Sequence, residues 1–96
     1  MVVKEKAKDK IRATFTSPSI NDCECLYLVG DFNEWDAQSH PMKQAEDGTW
    51  SLTISLDKGQ VYQYRFYTDN GNWLNDNDAD DYQPNPFGSD NSVVNT

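Results

Sequence analysis

In Thr49-Trp50-Ser51-Leu52-Thr53-Ile54-Ser55-Leu56 every even position is apolar and every odd one polar. A helix, turning every 3.6 residues, would scatter those apolar groups around its circumference, whereas a strand puts them all on one face. The segment is therefore predicted to be a half-buried strand. Ile11, Ala13 and Phe15 alternate in the same way with Arg12, Thr14 and Thr16. From Val61 to Thr68, Tyr62, Tyr64 and Phe66 share one face and Gln63, Arg65 and Tyr67 the other. Cys25-Leu26-Tyr27-Leu28-Val29 is apolar on both faces, the pattern of a central strand, and Ser92-Val93-Val94-Asn95 is a short closing one. Asp47-Gly48, Lys58-Gly59, Asn70-Gly71 and Pro84-Asn85-Pro86-Phe87-Gly88 punctuate these runs. With no helical pattern of useful length, the reading is an all-β chain: an immunoglobulin-like antiparallel β-sandwich over residues 10–96, preceded by a mobile tail at residues 1–9.

Charge narrows the partners. Sixteen acidic side chains against eight basic ones give a net charge of -8, which repels phosphate backbones and anionic lipid surfaces. Nucleic acid and membrane are thereby excluded, while a neutral polymer meets no Coulomb penalty. No run approaches transmembrane length. The first ten residues alternate charges and carry no apolar signal core. Cys23 and Cys25 share a strand face without the geometry to bond to each other. These features point to reduced thiols and a cytoplasmic protein.

Catalytic and metal chemistry lack parts. His40 is the only histidine, so neither a zinc site nor a His-based nucleophile can be assembled in the usual way. Asp76-Asn77-Asp78-Ala79-Asp80-Asp81 opens like a calcium loop. However, Asp81 stands where the sharp turn needs Gly, and Phe87 where a bidentate Glu closes the cage. The run is read as a solvated loop, with no metal and no cofactor. A glycosidase carboxylate pair needs a deep cleft that a lone small sandwich does not offer, so the chain is read as non-enzymatic.

The three tryptophans divide. Trp50 falls in the apolar alternation and belongs to the core. Trp35 closes the turn-rich Gly30-Asp31-Phe32-Asn33-Glu34-Trp35, and Trp73 follows Asp69-Asn70-Gly71-Asn72, so both are candidates for a contact surface. The face of Trp73 depends on loop length. A two-residue Asn70-Gly71 turn pairs Thr68 with Trp73 and turns the indole into the core. A three-residue loop with Gly71 left-handed pairs Tyr67 with Trp73 and sets the indole beside Arg65. The second register is favoured, because the Tyr64/Phe66 face is already apolar.

The ordered combination Leu26-Tyr27-Leu28-Val29-Gly30-Asp31-Phe32-Asn33-Glu34-Trp35, His40-Pro41-Met42, Asp47-Gly48-Thr49-Trp50, Tyr64-Arg65-Phe66, Asp69 to Trp73 and Phe87-Gly88-Ser89-Asp90-Asn91-Ser92 resembles carbohydrate-binding module family 48. That family includes the glycogen-binding domain of the AMP-activated protein kinase beta subunit and the N-terminal early-set domains of isoamylases and branching enzymes. The resemblance implies a non-catalytic early-set sandwich that binds α-1,4-glucan: glycogen, starch-like polymer or malto-oligosaccharides. It implies stacking by Trp35 and Trp73 and a basic contact from Arg65, where Lys is usual. It also implies an apolar projection from Phe87, where Leu is usual, and polar contacts from Ser89 and Asn91. The hairpin before Trp73 carries one extra residue. The alternative is an early-set structural or protein-interaction module that docks a glucan-active enzyme or kinase-like partner.

Overall fold

The computed structural model describes residues 2–20, 23–86 and 88–96. Its strands, in chain order, are β1 (Val2–Ala7), β2 (Lys10–Thr16), β3 (Leu26–Gly30), β4 (Lys43–Gln44), β5 (Trp50–Asp57), β6 (Val61–Thr68), β7 (Trp73–Leu74), β8 (Asp81–Pro84) and β9 (Asp90–Asn95). One sheet runs β1-β2-β5-β4. The other runs β3-β6-β9-β8, with β7 paired to β6. Every pairing is antiparallel.

Alternation in sequence becomes register in space. Ile11 stands opposite Leu56, Ala13 opposite Ile54 and Phe15 opposite Leu52, so the apolar faces of β2 and β5 coincide. In the second sheet Leu28 stands opposite Phe66. The two inner faces meet in a core that includes Phe15, Leu26, Leu28, Trp50, Tyr64, Phe66 and Val94. Phe15 and Tyr64 pack edge to face with centroids 4.9 Å apart. Trp50 is buried and its Nε1–H donates to the Ile20 carbonyl at 2.9 Å, which satisfies its one polar atom.

Three expectations need correction. Val2–Ala7, expected within a mobile tail, pairs along its whole length with β2. Lys4 and Lys6 stand opposite Ala13 and Ile11, on the inward side of an edge strand, so no apolar alternation announces it. Inward lysines also discourage a further strand from adding to that edge. Lys4 Nζ reaches across to Asp80 at 2.6 Å and to the Asn95 carbonyl at 3.0 Å. Burial opposes ionisation of Asp80, but the Lys4 ammonium and the Asn95 amide outweigh it and hold the carboxyl below its ordinary value. Such a partly exposed pair contributes about 0–1 kcal/mol, against about 1.5–3 kcal/mol for each fully buried large apolar side chain. The core therefore dominates.

Second, β3 is an edge strand, although it is apolar on both faces. The His40–Met42 segment covers its free side: Leu28 N–H donates to His40 O at 2.9 Å and Met42 N–H to Leu26 O at 2.8 Å. Val29, on its outer face opposite Arg65, is fully buried. Third, the acidic run is not wholly solvated. Asp76 is 1% exposed. It accepts a hydrogen bond from Tyr64 Oη at 2.8 Å and from the Asp78 amide at 2.9 Å, and its own N–H donates to Ser92 Oγ at 2.9 Å. Burial and this donation to Asp76 push the Tyr64 phenol far above its ordinary pKa, which keeps it a donor. Among the described residues no helix is long and apolar enough to cross a membrane.

Candidate functional site

The outer face of the five-stranded sheet carries a cavity of about 510 Å³ lined by Trp35, Arg65, Trp73, Asn85, Pro86 and Asn91. Its size falls within the range of small-molecule clefts. Three stretches far apart in sequence build it: the turn at Trp35, the β6–β7 hairpin with Arg65 and Trp73, and the β8–β9 loop with Asn85, Pro86 and Asn91.

The Trp35 wall begins at Gly30. A Cβ there would lie 2.5 Å from the Gln63 carbonyl oxygen and 2.9 Å from Tyr64 Cβ and the Phe32 ring, so only glycine lets β3 approach β6 this closely. A 3₁₀ turn, Asp31–Asn33, follows. Phe32 packs against the core, 5.8 Å from Phe15 between centroids. Asn33 Oδ1 accepts the Gly30 amide at 3.0 Å, and its Nδ2 donates to the Leu28 carbonyl at 3.0 Å. Glu34 and Trp35 then both take positive φ, 57° and 59°. Two consecutive non-glycine residues in the left-handed region store about 1–3 kcal/mol each, so the surrounding bonds must hold them. Trp35 N–H donates to Gly30 O at 2.9 Å, and its indole Nε1–H donates to Asp31 Oδ1 at 2.9 Å. Asp31 Oδ2 accepts the Gln63 backbone amide at 2.8 Å. Trp35 is thus moored to β6 through a single carboxylate.

The Trp73 wall follows the three-residue register. Tyr67 pairs with Trp73, Thr68 N–H donates to Asn72 O at 2.9 Å, and Gly71 has φ +89°. Trp73 therefore shares the outer face with Arg65 and Tyr67 rather than entering the core. It is 42% exposed and leans on Tyr67 with ring centroids 4.5 Å apart. Among the described residues its indole N–H has no hydrogen-bond partner, in contrast to that of Trp35.

Between the walls stand Arg65 and Asn91. Arg65 Nε is buried and, among the described residues, has no hydrogen-bond partner. A donor in that condition normally loses about 1–3 kcal/mol, so an acceptor supplied by a ligand would relieve it. Asn91 Nδ2 donates to Gln63 Oε1 at 3.0 Å, and its Oδ1 accepts Asn85 Nδ2 at 3.2 Å. Each polar end of this amide keeps one further site open.

Of the residues singled out in the sequence, Trp35, Trp73, Arg65 and Asn91 come together at the cavity. Ser89 is exposed on the β8–β9 loop, its amide donating to Asn85 Oδ1 at 3.2 Å, and stands outside the lining. Phe87 lies outside the described residues. Sequence reasoning missed Asn85 and Pro86. Asn85 closes the loop through its own N–H to Ser89 O at 2.8 Å. An asparagine between two prolines at a hairpin mouth was the available signal. Among the described residues no group of three or more His, Cys, Asp or Glu side chains gathers to hold a metal ion.

Fold and cavity together define a β-sandwich binding module with an aromatic-walled site on one sheet. Carbohydrate-binding module 48 (isoamylase N-terminal domain) matches residues 21–84, and the chain belongs to that family. Its class function is carbohydrate binding without catalysis. Similar proteins include the 1,4-alpha-glucan branching enzyme of Bacillus cereus (strain B4264), 39% identical over 69 residues. Others are the branching enzymes of Synechococcus sp. (strain CC9605), 34% over 68 residues, and of Photobacterium profundum, 35% over 54 residues. The matches cover 70%, 70% and 55% of this chain but only 10%, 9% and 8% of those enzymes.

Proposed function

We propose that the cavity binds α-1,4-glucan, as glycogen, starch-like polymer or malto-oligosaccharide, through Trp35, Trp73, Arg65 and Asn91. The observation that carries this reading is the convergence of Trp35, from the turn after β3, and Trp73, from β7, around a buried Arg65 Nε that has no partner among the described residues. A pyranose has an apolar C–H face and a hydroxyl rim, so it suits an indole plate edged by donors and acceptors. Arg65 donates to ring hydroxyls, and Asn91 supplies one donor and one acceptor. Phe87 and Ser89 are assigned further contacts by the family pattern. The relatives are named as 1,4-alpha-glucan branching enzymes, which supports both this substrate class and work beside a glucan-active enzyme. Cys23 and Cys25 as reduced thiols and the net charge of -8 fit a cytoplasmic setting and an uncharged polymer.

Each stacked ring adds about 0.5–1.5 kcal/mol beyond burial. After the cost of ordering the chain, dissociation constants from about millimolar to tens of micromolar are expected. Maltoheptaose titrated against labelled protein should shift the indole resonances of Trp35 and Trp73, while cellohexaose should leave them unmoved. Silence at both indoles in millimolar maltoheptaose would refute the assignment.

A further inference from the structure

We propose that Asp31 and Gln63 are positioning residues that lock the two sides of the cavity together before ligand arrives. This rests on the glucan-binding reading above and adds to it the device that keeps the Trp35 plate in place beside the Asn91 amide.

The argument follows hydrogen-bond direction. On one side, the Trp35 indole N–H and the Gln63 backbone N–H both donate to Asp31, one to each carboxylate oxygen, at 2.9 and 2.8 Å. On the other side, Asn85 Nδ2 donates to Asn91 Oδ1 at 3.2 Å and Asn91 Nδ2 donates to Gln63 Oε1 at 3.0 Å. Gln63 is therefore the hub: its backbone holds the Trp35 turn and its side chain holds the Asn91/Asn85 side. Two of these donors end on the Asp31 carboxylate, whose charge strengthens both bonds, and the other two form a short amide chain that ends on the Gln63 side-chain oxygen.

The residue types are explained by this direction. Asp31 must accept twice. The near-isosteric amide has only one oxygen, so Asp31→Asn would turn an NH₂ against either the indole N–H or the Gln63 amide. Gln63 must offer an oxygen to Asn91, which Glu can do and Met cannot. The mooring matters because Trp35 sits in a left-handed pair, φ 57° and 59°, that relaxes once its anchor is gone. A plate that must be ordered at the moment of binding reduces affinity.

The test uses the whole chain. In the free wild-type protein the Trp35 indole proton should exchange slowly with solvent and the Trp73 indole proton rapidly. Asp31→Asn should bring Trp35 exchange up toward that of Trp73 and weaken maltoheptaose binding about tenfold. Gln63→Met should weaken binding about three- to fivefold, and Gln63→Glu should restore most of that loss. Circular dichroism and thermal melting identify any variant that fails to fold. Fast exchange at Trp35 in the wild type, or a folded Asp31→Asn with unchanged exchange and affinity, would overturn the proposal. Failure of the wild type to bind maltoheptaose while Trp35 exchange stays protected and Asp31-dependent would instead refute the glucan reading and leave the mooring standing.

Discussion

The two tryptophan-bearing segments reach the same cavity by opposite means. Trp35 ends a turn whose first residue is wedged against β6, whose Phe32 packs against the core and whose indole is tied to Asp31. Trp73 sits on a two-residue strand beyond a glycine loop, leans on Tyr67 and leaves 42% of its surface open. One plate is carried by a turn anchored to the core, and the other is an arm laid over the sheet. A site built this way has one face that cannot move without unfolding and one that can be altered freely.

That contrast orders the expected effects. Gly30→Ala should be the most damaging change, because its Cβ meets backbone and Cβ atoms at 2.5 and 2.9 Å rather than the tip of a flexible chain. A loss of about 3 kcal/mol is expected, read by urea denaturation, and a loss below about 1 kcal/mol would show that the turn is not fused to the core. Trp73→Ala comes next and should act on binding alone. Stability should stay within about 1 kcal/mol while maltoheptaose affinity falls about tenfold or more. Trp35→Ala should lower both, and equal stability losses for the two alanine variants would erase the distinction.

In the arm itself, Gly71→Ala meets only open space, the nearest atom being Tyr67 Oη at 4.0 Å, but must hold φ +89°. It should destabilise by about 1 kcal/mol and perturb the Trp73 resonances without touching those of Trp35. The smallest effect belongs to a site outside both walls. Asp80 has a folded-state pKa below its ordinary value of 3.8, so its contribution is present above that value and lost as pH falls through the lower folded one. Lys4→Met should diminish it, since only the Asn95 amide is then left to favour the carboxylate, flattening stability against pH on the acid side by under about 1 kcal/mol and leaving neutral-pH sugar binding unchanged. An undiminished acid slope in that variant would mean the pair contributes nothing.

What the sequence revealed tracks what is local. Period-two alternation identified β2, β5 and β6 because each has one buried face. Gly71 identified the hairpin register because the loop length and the left-handed residue are neighbours in the chain. β1, β4 and β8 left little trace: their residues are mostly exposed and, in β1, lysines occupy the inward positions. Asp76 resembled its solvated neighbours until Tyr64, twelve residues away, and Ser92 closed around it. The plates and Arg65 were recognisable from residue type and position, but Gln63 read as an ordinary polar strand residue. Its importance comes from bonds to Asp31 and Asn91, 32 and 28 positions away, which no periodicity encodes.

A side chain at Gly30 would spoil the turn together with the plate it carries, so a defect there is expected to show as lost protein rather than as lost affinity. The β6–β7 hairpin, lying outside the core, is by contrast the place where a change of loop length would retune the ligand at little risk to the scaffold.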